Sequence, residues 1–184
     1  NPWLNAIVWR DETFLERAEQ ATRIRTTATD LPPFFGVPLV VKDVQNVAGQ
    51  PNTKSSLALS DAPQPVSDLF IERLLAAGFI PIGRSSSSEL AASLSTESIK
   101  HGVTRNPWHE SVGANGSSGG SAVAIAAGMV PAATATDGAG STRGLWPGGA
   151  QTFPRAAPAT SSQLGRFLRR WGADPYGRRH CCSP

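Results

Sequence analysis

Cysteine is almost missing: two in 184 residues, Cys181 and Cys182, adjacent and close to the end. Neighbouring cysteines are poorly placed to close a useful loop, and two are too few for a disulfide scaffold. The expected compartment is therefore a reducing cytoplasm. No apolar run approaches the roughly 18–20 residues that span a bilayer, which argues against a transmembrane role. The first residues, Asn1-Pro2-Trp3, show neither a Met nor a basic-then-apolar pattern, so nothing there suggests secretion. Charge is also scarce. Only 17% of residues are charged, against a usual share of about 25%, and this excludes a charge-rich disordered chain. Metal-ligand spacing is lacking as well: no Cys-x-x-Cys or His-x-x-x-His occurs, so neither a metal nor another cofactor is expected.

What is present is unevenly spread. The net charge of +3 comes from 17 basic and 14 acidic groups. Residues 144–184 hold six arginines and one acid, whereas residues 1–143 carry a slight negative excess. The basic balance is thus a property of the tail and not of a nucleic-acid-binding face. Valine and isoleucine follow the same division, with 18 in residues 1–143 and none afterwards. A buried sheet cannot continue without β-branched residues. Glycine and proline recur every few positions in 144–184, which reads as largely unstructured, with at most a short helix near Gln163–Trp171. A natural basic tail is the alternative.

The first 143 residues alternate helix and strand signals. Asp11 is placed to cap a helix running to about Arg25, with Phe14, Leu15, Ala18, Ala21 and Ile24 on its buried side. Val37-Pro38-Leu39-Val40-Val41 reads as a buried strand beginning after Pro38. Ser67 is placed to cap a helix from Asp68 to Ala77, stopped by Gly78. Phe79-Ile80-Pro81-Ile82-Gly83 reads as the next strand start. A third helix, Gly119 to about Met129, follows a Ser/Gly loop. Helix–Gly–strand succession of this kind predicts an α/β fold.

Three features call for chemistry. In Gly113-Ala-Asn-Gly-Ser-Ser-Gly-Gly-Ser121, small residues lead into a helix whose N-terminus offers free N–H groups. It lacks the ending of a P-loop, so a nucleotide-binding module is the weaker reading. In Thr136-Asp-Gly-Ala-Gly-Ser-Thr-Arg143, small residues before Ser141 could aim their N–H groups at one point, as an oxyanion hole requires. Lys42 directly follows the apolar run Leu39-Val40-Val41. If desolvated there, its pKa falls and it becomes a neutral base. The alternative is a packed stem with the ammonium in water.

Taken in order, these residues resemble the amidase signature family. The matches are Gly36-Val-Pro-Leu-Val-Val-Lys-Asp43, Thr104-Arg-Asn-Pro-Trp108, Gly116-Ser-Ser-Gly-Gly-Ser121 and Thr136-Asp-Gly-Ala-Gly-Ser-Thr-Arg143, with weaker support from Asn1-Pro-Trp-Leu-Asn-Ala6 and Ser95-Thr-Glu97. The resemblance implies an incomplete α/β/α fold, a partial mixed sheet flanked by helices, over residues 1–143. It also implies a Lys-Ser-Ser triad of Lys42, Ser117 and Ser141. Ser141 would attack an amide carbonyl, Ser117, following a cis peptide bond, would relay the proton, and Lys42 would be the ultimate base. The N–H groups of Gly138, Ala139, Gly140 and Ser141 would hold the oxyanion. Ser118, Asp137 and Arg143 would support the site. The three histidines are not needed: His101 and His109 read as loop residues, and His180 lies in the tail.

After Arg143 the family pattern stops, and Gly144-Leu-Trp-Pro-Gly-Gly149 does not continue it. The expectation is a truncated or frame-shifted amidase lacking its C-terminal half, with residues 144–184 translated out of frame. The implied partner is a small-molecule amide, with no nucleic acid and no membrane, and homodimerisation of intact members is left open. Implied substrates range over aliphatic, aromatic, fatty, peptide and cyclic amides, or ammonia transfer within a larger complex. The contrasting reading is a non-catalytic amidase remnant or a partner-bound fragment.

Overall fold

The structure, a computed structural model, describes residues 1–142. Arg143, the 144–184 segment with its expected short helix, His180 and both cysteines lie outside the described residues. The central element is a four-stranded mixed sheet of β1 (Ile7–Arg10), β2 (Pro38–Lys42), β3 (Ile80–Ser85) and β8 (Ala132–Ala133), in the order β1-β3-β2-β8. β2 runs parallel to both β3 and β8, and β1 pairs antiparallel with β3. Two small hairpins, β4 (Glu97–Ser98) with β5 (Gly102–Val103) and β6 (Arg105–Asn106) with β7 (His109–Gly113), lie beside it.

Alternation along β2 decides which residues meet which helix. Leu39 and Val41 pack with Val47, Ile71, Leu74 and Phe79, the cluster built on helix α2 (Leu69–Ala76). Val40 points the other way and joins Leu4, Ala6, Ala114, Val123, Ala124, Val130 and Ala133 around helix α3 (Gly119–Ala126). Fully burying such a side chain is worth about 1.5–3 kcal/mol, so both faces contribute to holding the sheet. The expected partial mixed α/β sheet flanked by helices is what the chain forms.

Local details differ from the sequence reading in physically clear ways. Helix α1 (Phe14–Arg25) forms over the expected span, but none of its residues is fully buried: Phe14, Ala18 and Ala21 are half-buried, whereas Leu15 is 60% exposed and Ile24 38%. Polar contacts add to this partial packing, with Arg17 Nη2 donating to Asp11 Oδ2 (2.5 Å) and to the Pro81 carbonyl (2.6 Å). Asp11 accepts from Thr13 N–H just before the helix (2.9 Å), and Thr13 is the N-cap residue. α2 begins one residue later than expected, after Asp68. Ser67 Oγ accepts from Ala48 N–H and Asp68 Oδ2 from Asn46 N–H, so both tie down the β2–α2 loop. Pro38 is itself part of β2, and β1 was not read from the sequence. His109 opens β7 rather than a loop. Gly78 stops α2 at φ +100°, and a Cβ there would sit 2.7 Å from the Phe35 backbone. No helix among the described residues is long and apolar enough to cross a membrane.

Candidate active site

Because Lys42 is two residues beyond Val40, the alternation of β2 turns it toward the α3 face. It is fully buried. The N-terminus of α3 is directly opposite, supplied by the Ser/Gly loop, and the Gly116–Ser117 peptide bond is cis. The three chemistry-bearing segments therefore converge. Lys42 Nζ lies 2.8 Å from Ser117 Oγ, 2.9 Å from Ser118 Oγ and 2.6 Å from Thr136 Oγ1. Ser117 Oγ in turn donates to Ser141 Oγ at 2.7 Å.

Burial has its expected electrostatic effect on the lysine. Desolvation pulls the Lys42 ammonium down to about 8, with the Asp137 carboxylate partly opposing the shift. A substantial neutral fraction is therefore available close to neutral pH, as a base requires. Ser118 has its own anchors: its Oγ donates to the Thr136 carbonyl (3.2 Å) and accepts from Thr136 N–H (3.3 Å). With its hydrogen so committed, Ser118 can only accept from Lys42.

The turn carrying Ser141 is half open. Gly138 and Ala139 are exposed, and Gly140 has φ +109°, a conformation that favours glycine. The Gly140 N–H donates to Asp137 Oδ1 (2.9 Å), and Thr142 Oγ1 donates to the Thr136 carbonyl (2.8 Å). Asp137 thus pins this turn, and one of the four backbone donors expected to face the oxyanion is engaged by its carboxylate. Arg143 lies outside the described residues.

Several polar neighbours were not singled out from the sequence. Thr136 opens the motif that ends at Arg143, which by itself gives it no role, yet its hydroxyl makes the shortest contact to the amine. Thr134, Gln45 and Arg84 surround the Lys42 backbone, and no sequence spacing links them. His101 Nε2 approaches Thr53 Oγ1 (3.4 Å) and Asp43 Oδ2 (4.0 Å), away from the two serines, and desolvation lowers its pKa. Among the described residues, no group of three or more His, Cys, Asp or Glu could hold a metal.

Comparison with known proteins places the chain in a family. A profile of the family described as Amidase matches residues 1–144. One component of the glutamyl-tRNA(Gln) amidotransferase of Chloroflexus aggregans is 43% identical over 132 residues, covering 72% of this chain and 27% of that protein. The native peptide amidase of Stenotrophomonas maltophilia superposes with a TM-score of 0.66 at 35% identity, over 72% of this chain and 28% of that one. The 6-aminohexanoate cyclic dimer hydrolase superposes with a TM-score of 0.67 at 34% identity, over 77% and 28%. The chain thus spans between a quarter and a third of the length of these relatives. With its motifs converging on one face of a mixed sheet that superposes on these enzymes, the chain belongs to the amidase signature family.

Proposed function

We propose that the chain carries an amide-hydrolysing site that works through a Lys42–Ser117–Ser141 relay and an acyl-enzyme. The observation that carries this reading is the unbroken line of contacts from Lys42 Nζ to Ser117 Oγ to Ser141 Oγ, 2.8 and 2.7 Å. With Lys42 charged, donation runs from Nζ outward. Once Lys42 is neutral, both hydroxyls can rotate and donate inward. Ser141 Oγ then attacks the carbonyl carbon of a small linear amide. Its proton passes to Ser117, whose own proton passes to Lys42. The tetrahedral oxyanion is held by the N–H groups of Gly138, Ala139 and Ser141, and by that of Gly140 when Asp137 releases it. One such donor is typically worth about 3–4 kcal/mol.

Collapse breaks the C–N bond. The leaving amine takes the proton back from Lys42 through Ser117, and Ser141 is left as an ester. Water, deprotonated along the same relay, then attacks the ester, releases the carboxylic acid and restores Ser141. Thr136 and Ser118 serve this cycle by accepting the two hydrogens of the neutral amine, so that its lone pair faces Ser117.

The test is intact-mass spectrometry of the full chain after treatment with a fluorophosphonate, beside Ser141→Ala. One adduct, lost in the variant, is expected. No adduct on a soluble, folded chain would overturn the reading and leave a non-catalytic amidase remnant.

A further inference from the structure

A lysine places its amine at the end of a flexible four-carbon stem, so its backbone anchoring decides where the nitrogen rests. In Lys42 that anchoring is unusual. The ladder between β2 and β8 begins normally, with Thr134 N–H donating to the Val40 carbonyl (2.9 Å). The next bond of a parallel ladder would run from Lys42 N–H to the Thr134 carbonyl. That carbonyl instead accepts from Ser121 Oγ on α3 (2.6 Å), and Lys42 N–H donates to the Thr134 side chain, Oγ1, at 2.9 Å. The chain after β8 is thereby turned toward α3. Two residues later, Thr136 reaches Nζ.

The hydrogen bonds then close into a ring. Thr134 Oγ1 donates to Gln45 Oε1 (2.5 Å). Arg84, fully buried on β3, donates through Nη2 to the Gln45 carbonyl and to the Lys42 carbonyl, the latter at 3.1 Å. The Lys42 carbonyl also accepts from Val44 N–H (2.7 Å) and Gln45 N–H (3.1 Å). Arg84 Nε lies 3.7 Å from Asp43 Oδ1, whose carboxylate is fixed by Thr53 N–H, Thr53 Oγ1 and Ser55 N–H. A buried guanidinium needs such a counter-charge. One nitrogen, Nη2, serves both carbonyls, while the rigid guanidinium plane holds Nε at ion-pair distance from the carboxylate, an arrangement a point-charge ammonium does not reproduce.

We propose that Arg84, Gln45 and Thr134 clamp the Lys42 backbone from both sides and act as positioning residues for its amine. The inference rests on the relay reading above for its catalytic meaning. Without the clamp the strand end loosens, Nζ gains access to water, and the contact with Ser117 is no longer held. The charged groups around Lys42 are Asp137 in the turn after β8, Asp43 next in the chain and Arg84 on β3. Thr134→Val changes none of them.

The experiment uses the full chain as wild type, Thr134→Val, Thr134→Ser, Arg84→Lys and Arg84→Met. Two quantities are read against pH: the rate of fluorophosphonate labelling at Ser141, and the side-chain NMR titration of isotopically labelled Lys42. Thr134→Val is expected to slow labelling about 10-fold or more, since small misplacements of a reacting group are costly. It should also move the Lys42 midpoint up from about 8 toward the ordinary 10.5. Thr134→Ser should restore both, and Arg84→Lys should recover part of what Arg84→Met loses. A folded Thr134→Val with wild-type rate and midpoint overturns the clamp. If the wild type does not label, the relay reading fails, and the NMR midpoint alone decides the clamp: unmoved, it is wrong; raised, it stands. Should Arg84→Met not fold, the Thr134 pair carries the test.

Discussion

Lys42 is under two opposed influences: burial strips water from its ammonium, and the Asp137 carboxylate favours keeping the proton. With its value at about 8, roughly a tenth of the molecules hold a neutral amine at pH 7. Labelling of Ser141 should therefore rise with pH through a midpoint near 8. In Asp137→Asn the opposing charge is gone, so the midpoint should move to lower pH, which a pH series of labelling rates would show. Stability follows with a definite sign. The folded state gives up the Lys42 proton near 8 and the unfolded chain near 10.5, so between those values the unfolded chain binds more protons. Wild type should therefore gain stability relative to Lys42→Met as pH rises from 8 to 10.5, and thermal unfolding of the two across that window checks it. At this scale the two serines and the lysine were legible as candidates through the motifs that resemble the family's, and the fold brings them into contact. Thr136 lay inside such a motif, but a hydroxyl's partner cannot be assigned from its neighbours in the chain. Arg84, Gln45 and Thr134 come from three segments that meet only in the folded sheet, so no local pattern joins them.

Among the elements, α3 matters most to the site, and its first residues are glycine for a steric reason. A Cβ on Gly120 would collide with the Ser86 backbone and lie 2.7 Å from the Ala6 carbonyl. Helix propensity alone favours alanine over glycine by about 1 kcal/mol. Gly120→Ala should nonetheless destabilise the chain by about 1–3 kcal/mol, the usual cost of overpacking, measured by urea denaturation. α1 shows the limit of periodicity as a guide. Its apolar residues recur at helical spacing and the helix forms, yet Phe14, Ala18 and Ala21 are only half-buried, Leu15 and Ile24 are exposed, and Arg17 reaches the sheet through the Pro81 carbonyl. The four strands of the two hairpins are equally hard to read, since β4, β5 and β6 have two residues each and carry no measurable alternation. The strong signals were β2, α2, β3 and α3, where an apolar run, a stop glycine and a proline stood together.

Across the whole described chain, the sheet separates two jobs by face. Leu74 on α2 is completely buried in the cluster behind β2, away from the serines. Leu74→Ala should lower stability by about 2–5 kcal/mol in denaturant titrations. The pH midpoint of Ser141 labelling should stay near 8 in the fraction that remains folded, because the cavity opens on the other side of the sheet.

That division makes the strand sensitive to its own length. Side chains along β2 alternate with period two, so Val40 and Lys42 share one face while Leu39 and Val41 share the other. Inserting or deleting a single residue in this strand would exchange the faces, driving the amine among the leucines of α2 and a valine or leucine against the serines. Such a chain would lose both packed clusters and the contacts around Lys42 in the same event. A change of length in this strand is therefore costlier than a change of side-chain size at any one of its positions, because it disturbs both faces at once.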